Sequence, residues 1–187
     1  GVEVGEVQQS IVADGMQANV RFQDVDVDAD QLVGEPGQGF SLAIRNIGLT
    51  RVMIGAMCIG LARFCLDQAV GYAQERRAFG QPIGKLQGVS FPLAEAATEL
   101  YAAENMLLNC AWKLDQGERC VRESSMVKLY CTEMLYDVAD AAVQTHGGAG
   151  VMRELPLERV FRWARLIRIP EGTSEVQKHT IAKSLGL

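Results

Sequence analysis

Three features of this sequence predict a mainly α fold, an up-down helical bundle behind a short β segment. Leu86, Leu93, Leu100, Leu107 and Leu114 recur every seven residues, with Val89, Ala96, Ala103 and Cys110 three positions after the first four. A stripe with that spacing is the a/d seam of near-parallel helices. The stretch from Ile47 to Leu66 is apolar on nearly every helical face, which predicts a helix in the middle of a packed structure. Between residues 18 and 27 apolar and polar residues alternate instead, with the two-residue period of a strand.

Taken in order, "GVEVGEVQQS" opens the chain without helix or strand punctuation. In "MQANVRFQDVDVD" Ala18, Val20 and Phe22 alternate with polar partners, and Val25 and Val27 resume the pattern after a one-residue slip, as in a bulged strand. Two or three strands cannot bury their own apolar face and need a larger sheet. Residues 1–34 therefore read as the end of a β domain, and the chain as the C-terminal part of a longer one. "VGEPGQGF" (33–40) reads as a turn-rich hinge. The first helix is expected from Phe40 to about Arg76. Gly48, Gly55 and Gly60 weaken it and fit places where neighbouring helices approach closely. Pro92 interrupts the second helix, so regular helix is expected from near Ser90, or a kink there. A third helix over 121–146 carries Val127, Met134, Val138 and Ala141 on one face and stops at "HGGAG". A short helix around 156–164 follows. The last starts at Ser174, which with Gln177 has capping-box spacing.

The 187 residues suffice for one domain, or one domain and a piece of another. Hydrophobic residues make up 48%, ample for a core, and the net charge of −5 argues against a nucleic-acid partner. No uninterrupted apolar run approaches the roughly 18 residues of a membrane span. The nearest, Val52 to Ala62, is bounded by Arg51 and Arg63. The five cysteines form no CxxC pair and the two histidines are far apart, which argues against a zinc site. Scattered thiols in apolar surroundings read as reduced core residues of an intracellular protein.

Three clusters have the residue types of chemistry. "QERRAFGQPIGKLQ" (74–87) sets two arginines, a Phe-Gly and a glutamine between two long helices, and is otherwise a basic interhelix loop. "QTHGGAG" (144–150) is either a plain helix end or a place where glycines let backbone approach a phosphate or sugar. In "ERVFRWARLIRIPEGTSE", Arg159, Arg162, Arg165 and Arg168 recur every three residues, which on its own is a solvated face with ion pairs. Glu171 differs. It precedes the helix cap, and Ile169, Pro170 and Gly172 around it are able to desolvate it. Desolvation raises a carboxylate pKa towards the range of a general base.

The succession "ERRAFGQPIGKLQ", "QTHGGAGV", "LPLERVFRWARLIRIPEGTSEVQ" resembles the C-terminal half of the acyl-CoA dehydrogenase family. The resemblance covers nearly the whole chain, since residues 17–40 are similar to that family's passage from its middle β domain into its helical domain. It implies an incomplete β domain over 1–36 and a helical-bundle domain over 37–187. It also implies a flavoenzyme in which Glu171 removes the α-proton of an acyl-CoA thioester while FAD accepts the β-hydride. Arg76, Phe79 and Gln87 match contacts to the ADP portion of a neighbouring subunit's FAD. Gln144, Gly147 and Gly148 match contacts at the adenosine-pyrophosphate end. Thr173 and Glu175 match residues facing the subunit's own flavin. Arg51 matches an arginine near the substrate, and Gly172 is the glycine beside the base.

A homotetramer (a dimer of dimers) follows from the same resemblance, as do electron-transfer flavoprotein as acceptor and a bacterial cytoplasm or mitochondrial matrix as location. The chain by itself is expected to be inactive. Two departures stand out. Pro170 replaces the usual aromatic residue before the base, and Trp163 stands where "RDAR" has aspartate. Some members place the base just before the helical arginine, where this chain has Thr50, which points to Glu171. An oxygen-using acyl-CoA oxidase-like member and a non-catalytic association bundle are the alternatives.

Overall fold

A computed structural model of the chain describes residues 1–12 and 14–187, with the side chains of all of these except 14–16 and 45. Met16, at the head of the alternating stretch, thus lies outside the described side chains. The chain divides into two compact units, residues 1–46 and 47–187.

In the first unit, β1 (Val2–Gln9) pairs antiparallel with β2 (Asp14–Phe22). Val2 lies opposite Phe22 and Val4 opposite Val20, and the register shifts between Val4 and Val7 and again between Gln8 and Gln9. The first strand arises from the stretch that carried no recognisable punctuation. The expected bulged continuation through Val25 and Val27 does not form. β2 ends at Phe22, and Asp24 takes a left-handed conformation (φ 44°) that short polar side chains tolerate and that turns the chain out of the ladder. Val2, Val4, Val7, Val20 and Phe22 are all exposed, as two strands without a larger sheet must leave them.

α1 (Gly39–Glu75) begins in the first unit and runs on through the second. A tight hairpin of β3 (Arg77–Ala78) and β4 (Gln81–Pro82) leads to α2 (Gln87–Asp115), then α3 (Val121–His146), α4 (Leu157–Ile167) and α5 (Ser174–Ser184). α2 starts three residues before Ser90, because the backbone N–H groups of Val89 and Ser90 already bond to Leu86 O. Pro92 falls early in the helix, where few ladder bonds precede it. The heptad seam is buried as expected: Leu93, Ala96, Leu100, Ala103 and Cys110 are covered, with Val89, Leu107 and Leu114 packed beside them.

α1 and α3 run side by side in the same direction. Near one end, a Cβ on Gly55 would sit 2.5 Å from Val127 Cγ1, so only glycine fits there. Near the other, the rings of Tyr72 and His146 stack with centroids 4.3 Å apart. Gly48 and Gly60 face open space, so of the three α1 glycines only Gly55 serves close approach. Among the described residues α3 is buried more fully than α1. α3 touches α2, α4, α5 and the 3₁₀ turn at 147–151, and it buries Ser124, Ser125, Lys128 and Thr132 along with its apolar residues. α1 buries Cys58, Ala62, Cys65 and Ala69 but leaves Leu49, Met53, Met57 and Val70 exposed. By length and mean hydropathy (1.6 over its most apolar window) α1 is long and apolar enough to cross a membrane, which the search for uninterrupted runs had missed. A core helix of a bundle meets the same measure, and the buried face of α1 packs in that core. All five cysteines are buried, and burial pushes the thiols of Cys58, Cys65 and Cys131 up to about 12.

Candidate active site

α4 ends at Arg168, and the chain must reverse within five residues to start α5. Glu171 (φ 56°) and Gly172 (φ 93°) make that bend with two successive left-handed residues. Glycine adopts this conformation freely, but a glutamate there is strained and persists only when its surroundings hold it.

The surroundings supply four holds. Arg51 on α1 donates from Nε to Glu171 O (3.3 Å), and its Nη1 donates to Ser125 Oγ on α3 (3.0 Å). Gln177 on α5 is fully buried and donates from Nε2 to both Glu171 O (3.1 Å) and Gly172 O (2.9 Å). Thr50 Oγ1 lies 3.0 Å from Ile47 O and 3.3 Å from Glu171 Oε2, so its single proton can serve either oxygen. One turn back, Lys128 Nζ donates to Arg168 O at 2.8 Å. Burial lowers the pKa of Arg51 from the usual arginine value, and the Glu171 carboxylate opposes that shift. Glu171 as a whole is half-buried.

The cap of α5 is shifted by one residue from the expected one. Thr173 is the N-cap, its hydroxyl accepting from Val176 N at 3.4 Å. Ser174 is instead buried in the first turn and donates to Glu133 Oε1 (2.5 Å) on α3, whose other oxygen pairs with Arg168 (2.6 Å). Gln177, expected to complete the capping box, is drawn inward to the two bend carbonyls. Tertiary partners of higher charge or deeper burial outcompeted the local motif. Glu175 is exposed in the first turn of α5, and backbone N–H bonding lowers its pKa, with the Thr173 hydroxyl assisting.

The other candidate residues gather elsewhere. The Tyr72–His146 stack joins the end of α1 to the end of α3, so the β3–β4 hairpin, the start of α2 and the 147–151 turn share one end of the bundle. There Arg76, Gln87, Gln144, Gly147 and Gly148 are all exposed. Phe79 and Gly80 form the hairpin tip with positive φ at both positions (51° and 80°), as the mirror-image two-residue turn requires. Phe79 is 90% exposed, and a Cβ on Gly148 would meet nothing within 4 Å. Along α1 this end lies 24 residues from Arg51, about 36 Å at 1.5 Å per residue. One chain thus carries two separate groups of candidate residues.

Residues 37–186 match the family profile described as acyl-CoA dehydrogenase, C-terminal domain. The chain belongs to the acyl-CoA dehydrogenase family. It is 39% identical over 168 residues to the probable acyl-CoA dehydrogenase YngJ of Bacillus subtilis, covering 90% of this chain and 44% of that protein. It is 38% identical over 186 residues to an acryloyl-CoA reductase (NADH) of Anaerotignum propionicum, covering 99% and 47%. The solved structure "PigA with FAD and proline" superposes with a TM-score of 0.95 at 30% identity, covering all of this chain and 49% of that one. The chain therefore spans about half the length of the acyl-CoA dehydrogenase relatives it matches.

In this family member the motifs point to Glu171 and Arg51; the structure adds Ser125, Lys128 and Glu133 around the bend and turns Gln177, read as part of a cap, towards it. A signal for one of them, Lys128, was present. Ser124, Lys128, Cys131, Leu135, Val138 and Ala142 fall on one face at helical spacing, so Ser124 and Lys128 are polar residues in a core phase.

Proposed function

We propose that this chain is the helical half of an FAD-dependent enzyme acting on acyl-CoA thioesters, with Glu171 as the base that takes the α-proton. The observation that carries this reading is the geometry of Glu171. A carboxylate on a left-handed bend, with its backbone carbonyl bonded by Arg51 and Gln177 and one carboxylate oxygen within 3.3 Å of Thr50 Oγ1, is held in a fixed place. Holding a base in place is what makes proton transfer efficient. Thr50, where some relatives carry the base, here approaches Glu171 as a hydrogen-bonding hydroxyl. FAD, when bound, accepts the β-hydride of the substrate.

The residues at the far end fit the nucleotide portion of that cofactor. Arg76 offers a cation, Phe79 an uncovered ring, and Gly147 and Gly148 a backbone that a phosphate can approach. Their distance from Glu171 favours service to another subunit's FAD, and the exposed apolar face of α1 favours the association this needs, as a homotetramer. Electron-transfer flavoprotein as acceptor and a bacterial cytoplasm or mitochondrial matrix as location belong to the same proposal.

The similarity to an acryloyl-CoA reductase supports a second reading, in which the reaction runs towards the saturated thioester, protonated Glu171 giving its proton to the α-carbon while the β-carbon takes hydride from a reduced flavin. Incubating the complete protein with saturated or with α,β-unsaturated thioester, and following which is consumed, separates the two. In either direction Glu171→Gln keeps size and hydrogen bonding but removes the proton acceptor, so turnover should fall by roughly 10²- to 10⁴-fold with flavin retained. Near-normal turnover in Glu171→Gln ends the assignment.

A further inference from the structure

Lys128 is a full-length cationic side chain with no exposed surface, in a helix otherwise buried by apolar and small residues. Burying an ammonium costs several kcal/mol unless it is well partnered. Its one hydrogen bond among the described residues is to Arg168 O, at 2.8 Å. That carbonyl is the C-cap of α4, where the negative end of the helix dipole lies. Arg168 is also held through its side chain, which pairs with Glu133 and lies over the Tyr136 ring, 5.4 Å from its centroid. Three residues on, the chain enters the left-handed bend.

We propose that Lys128 is a positioning residue for Glu171. By fixing the last carbonyl of α4 it sets where that helix ends, and so where the Glu171 carboxylate stands against the substrate. This rests on the reading of Glu171 as the base. Arg51 and Gln177 grip the bend after the turn, and Lys128 grips it before. With the bend held on both sides, the strain at Glu171 is carried by three buried or half-buried donors on three different helices. Burial lowers the pKa of the ammonium to about 8; the groups facing it are Cys58 and Arg51 from α1, Glu133 from α3 and Arg168 beyond α4. Its donor function survives in either protonation state, since a neutral amine still carries N–H.

The test uses the complete, flavin-loaded protein with Lys128→Met, Lys128→Gln and Glu171→Gln. Misplacement of a catalytic group by about 1 Å costs up to 10²-fold. Lys128→Met should therefore lower kcat per bound flavin by roughly 10- to 100-fold, with KM and flavin content little changed. The slower proton removal should give a larger isotope effect with α-deuterated thioester. Lys128→Gln, which keeps an N–H donor, should recover part of the loss. A purely structural role would lower the folded or flavin-bound fraction and leave kcat per flavin intact. Wild-type kcat in Lys128→Met beside a dead Glu171→Gln overturns the positioning role alone, whereas an active Glu171→Gln removes the base reading itself. Failure of both Lys128 variants to fold assigns the residue to the core and also overturns the proposal.

Discussion

The two groups of candidate residues are built in opposite ways. Around Glu171 the bend is bonded from α1 and α5, and among the described residues the buried side-chain atom without a partner is Gln177 Oε1, whose Nε2 is committed to two carbonyls. At the far end, Arg76, Phe79, Gln87, Gln144, Gly147 and Gly148 stand exposed to solvent. A group that moves a proton has to be placed to within a fraction of an ångström by its own chain. Groups that contact a cofactor held elsewhere need only a stiff scaffold and an open surface, and completion of the site supplies the rest.

Placing the same small substitution at both ends tests this contrast most severely. Gly172→Ala adds a Cβ at φ 93°, 2.7 Å from Gln177 Nε2. The left-handed conformation costs an alanine about 1–2 kcal/mol, and displacing Gln177 forfeits about 1 kcal/mol more. Gly148→Ala meets open space and should change folding stability by less than about 0.5 kcal/mol. Equal loss of melting temperature in the two variants would mean that the bend is not the more tightly determined region. The next effect belongs to Arg76→Ala. A charge-assisted contact is worth about 1.5–3 kcal/mol, so FAD affinity in the complete protein should fall by roughly 10- to 100-fold with no shift in melting. Flavin fluorescence titration measures the first and calorimetry the second. If Arg76, Phe79, Gln87, Gln144, Gly147 and Gly148 serve another subunit's FAD as proposed, the isolated chain should bind FAD weakly and catalyse nothing.

How much of this was legible depends on whether a feature is local. The α2 seam was visible because each leucine repeats at a fixed spacing, and the C-terminal end of α3 because glycine follows it. Glu171 stood out because proline and glycine flank a carboxylate that no cap explains. Lys128 and Gln177 did not stand out, because their partners lie 40 residues away on another element or behind a cap that local spacing assigns differently. Apolarity all round α1 exceeds what this one chain covers, since apolar surface records what a helix is covered by in its final setting. Burial within one chain depends on how many neighbours that chain supplies. Val25 and Val27 failed as strand because alternation cannot reveal a left-handed residue such as Asp24.

The pH dependence of stability sharpens the picture of the bend, because its buried cation titrates apart from the thiols. Lys128 has a folded pKa of about 8 against 10.5 for an ordinary lysine, so above pH 8 the unfolded chain binds more protons and stability rises with pH. Cys58, Cys65 and Cys131 are held at about 12 against 9, so above pH 9 the unfolded thiols ionise first and stability falls. Stability should therefore pass through a maximum near pH 9, each group contributing a slope of at most about 1.4 kcal/mol per pH unit. Lys128→Met should abolish the rise and keep the fall. A rise that persists in that variant would place its origin in another group.

The smallest expected difference concerns the start of α5, where two adjacent hydroxyls compete for the role of cap. Thr173 makes a long capping bond (3.4 Å) near the surface, so Thr173→Ala should cost about 0.5 kcal/mol, the low end for an N-cap. Ser174 is buried, and its hydroxyl donates to the Glu133 carboxylate at 2.5 Å. Hydrogen bonds to charged groups are worth about 1.5–3 kcal/mol, but Glu133 keeps Arg168 when Ser174 is lost, so Ser174→Ala should cost nearer 1.5 kcal/mol. The order distinguishes the two arrangements: a Ser174 cap would reverse the roles, with Thr173→Ala nearly silent. The variants should also differ in what they disturb. Ser174→Ala loosens the Glu133–Arg168 pair that steadies the end of α4, and so should lower turnover slightly in the complete protein. Thr173→Ala should fray only the first turn of α5, visible as faster amide exchange at Val176. Equal exchange at Val176 in both variants would return the cap to Ser174.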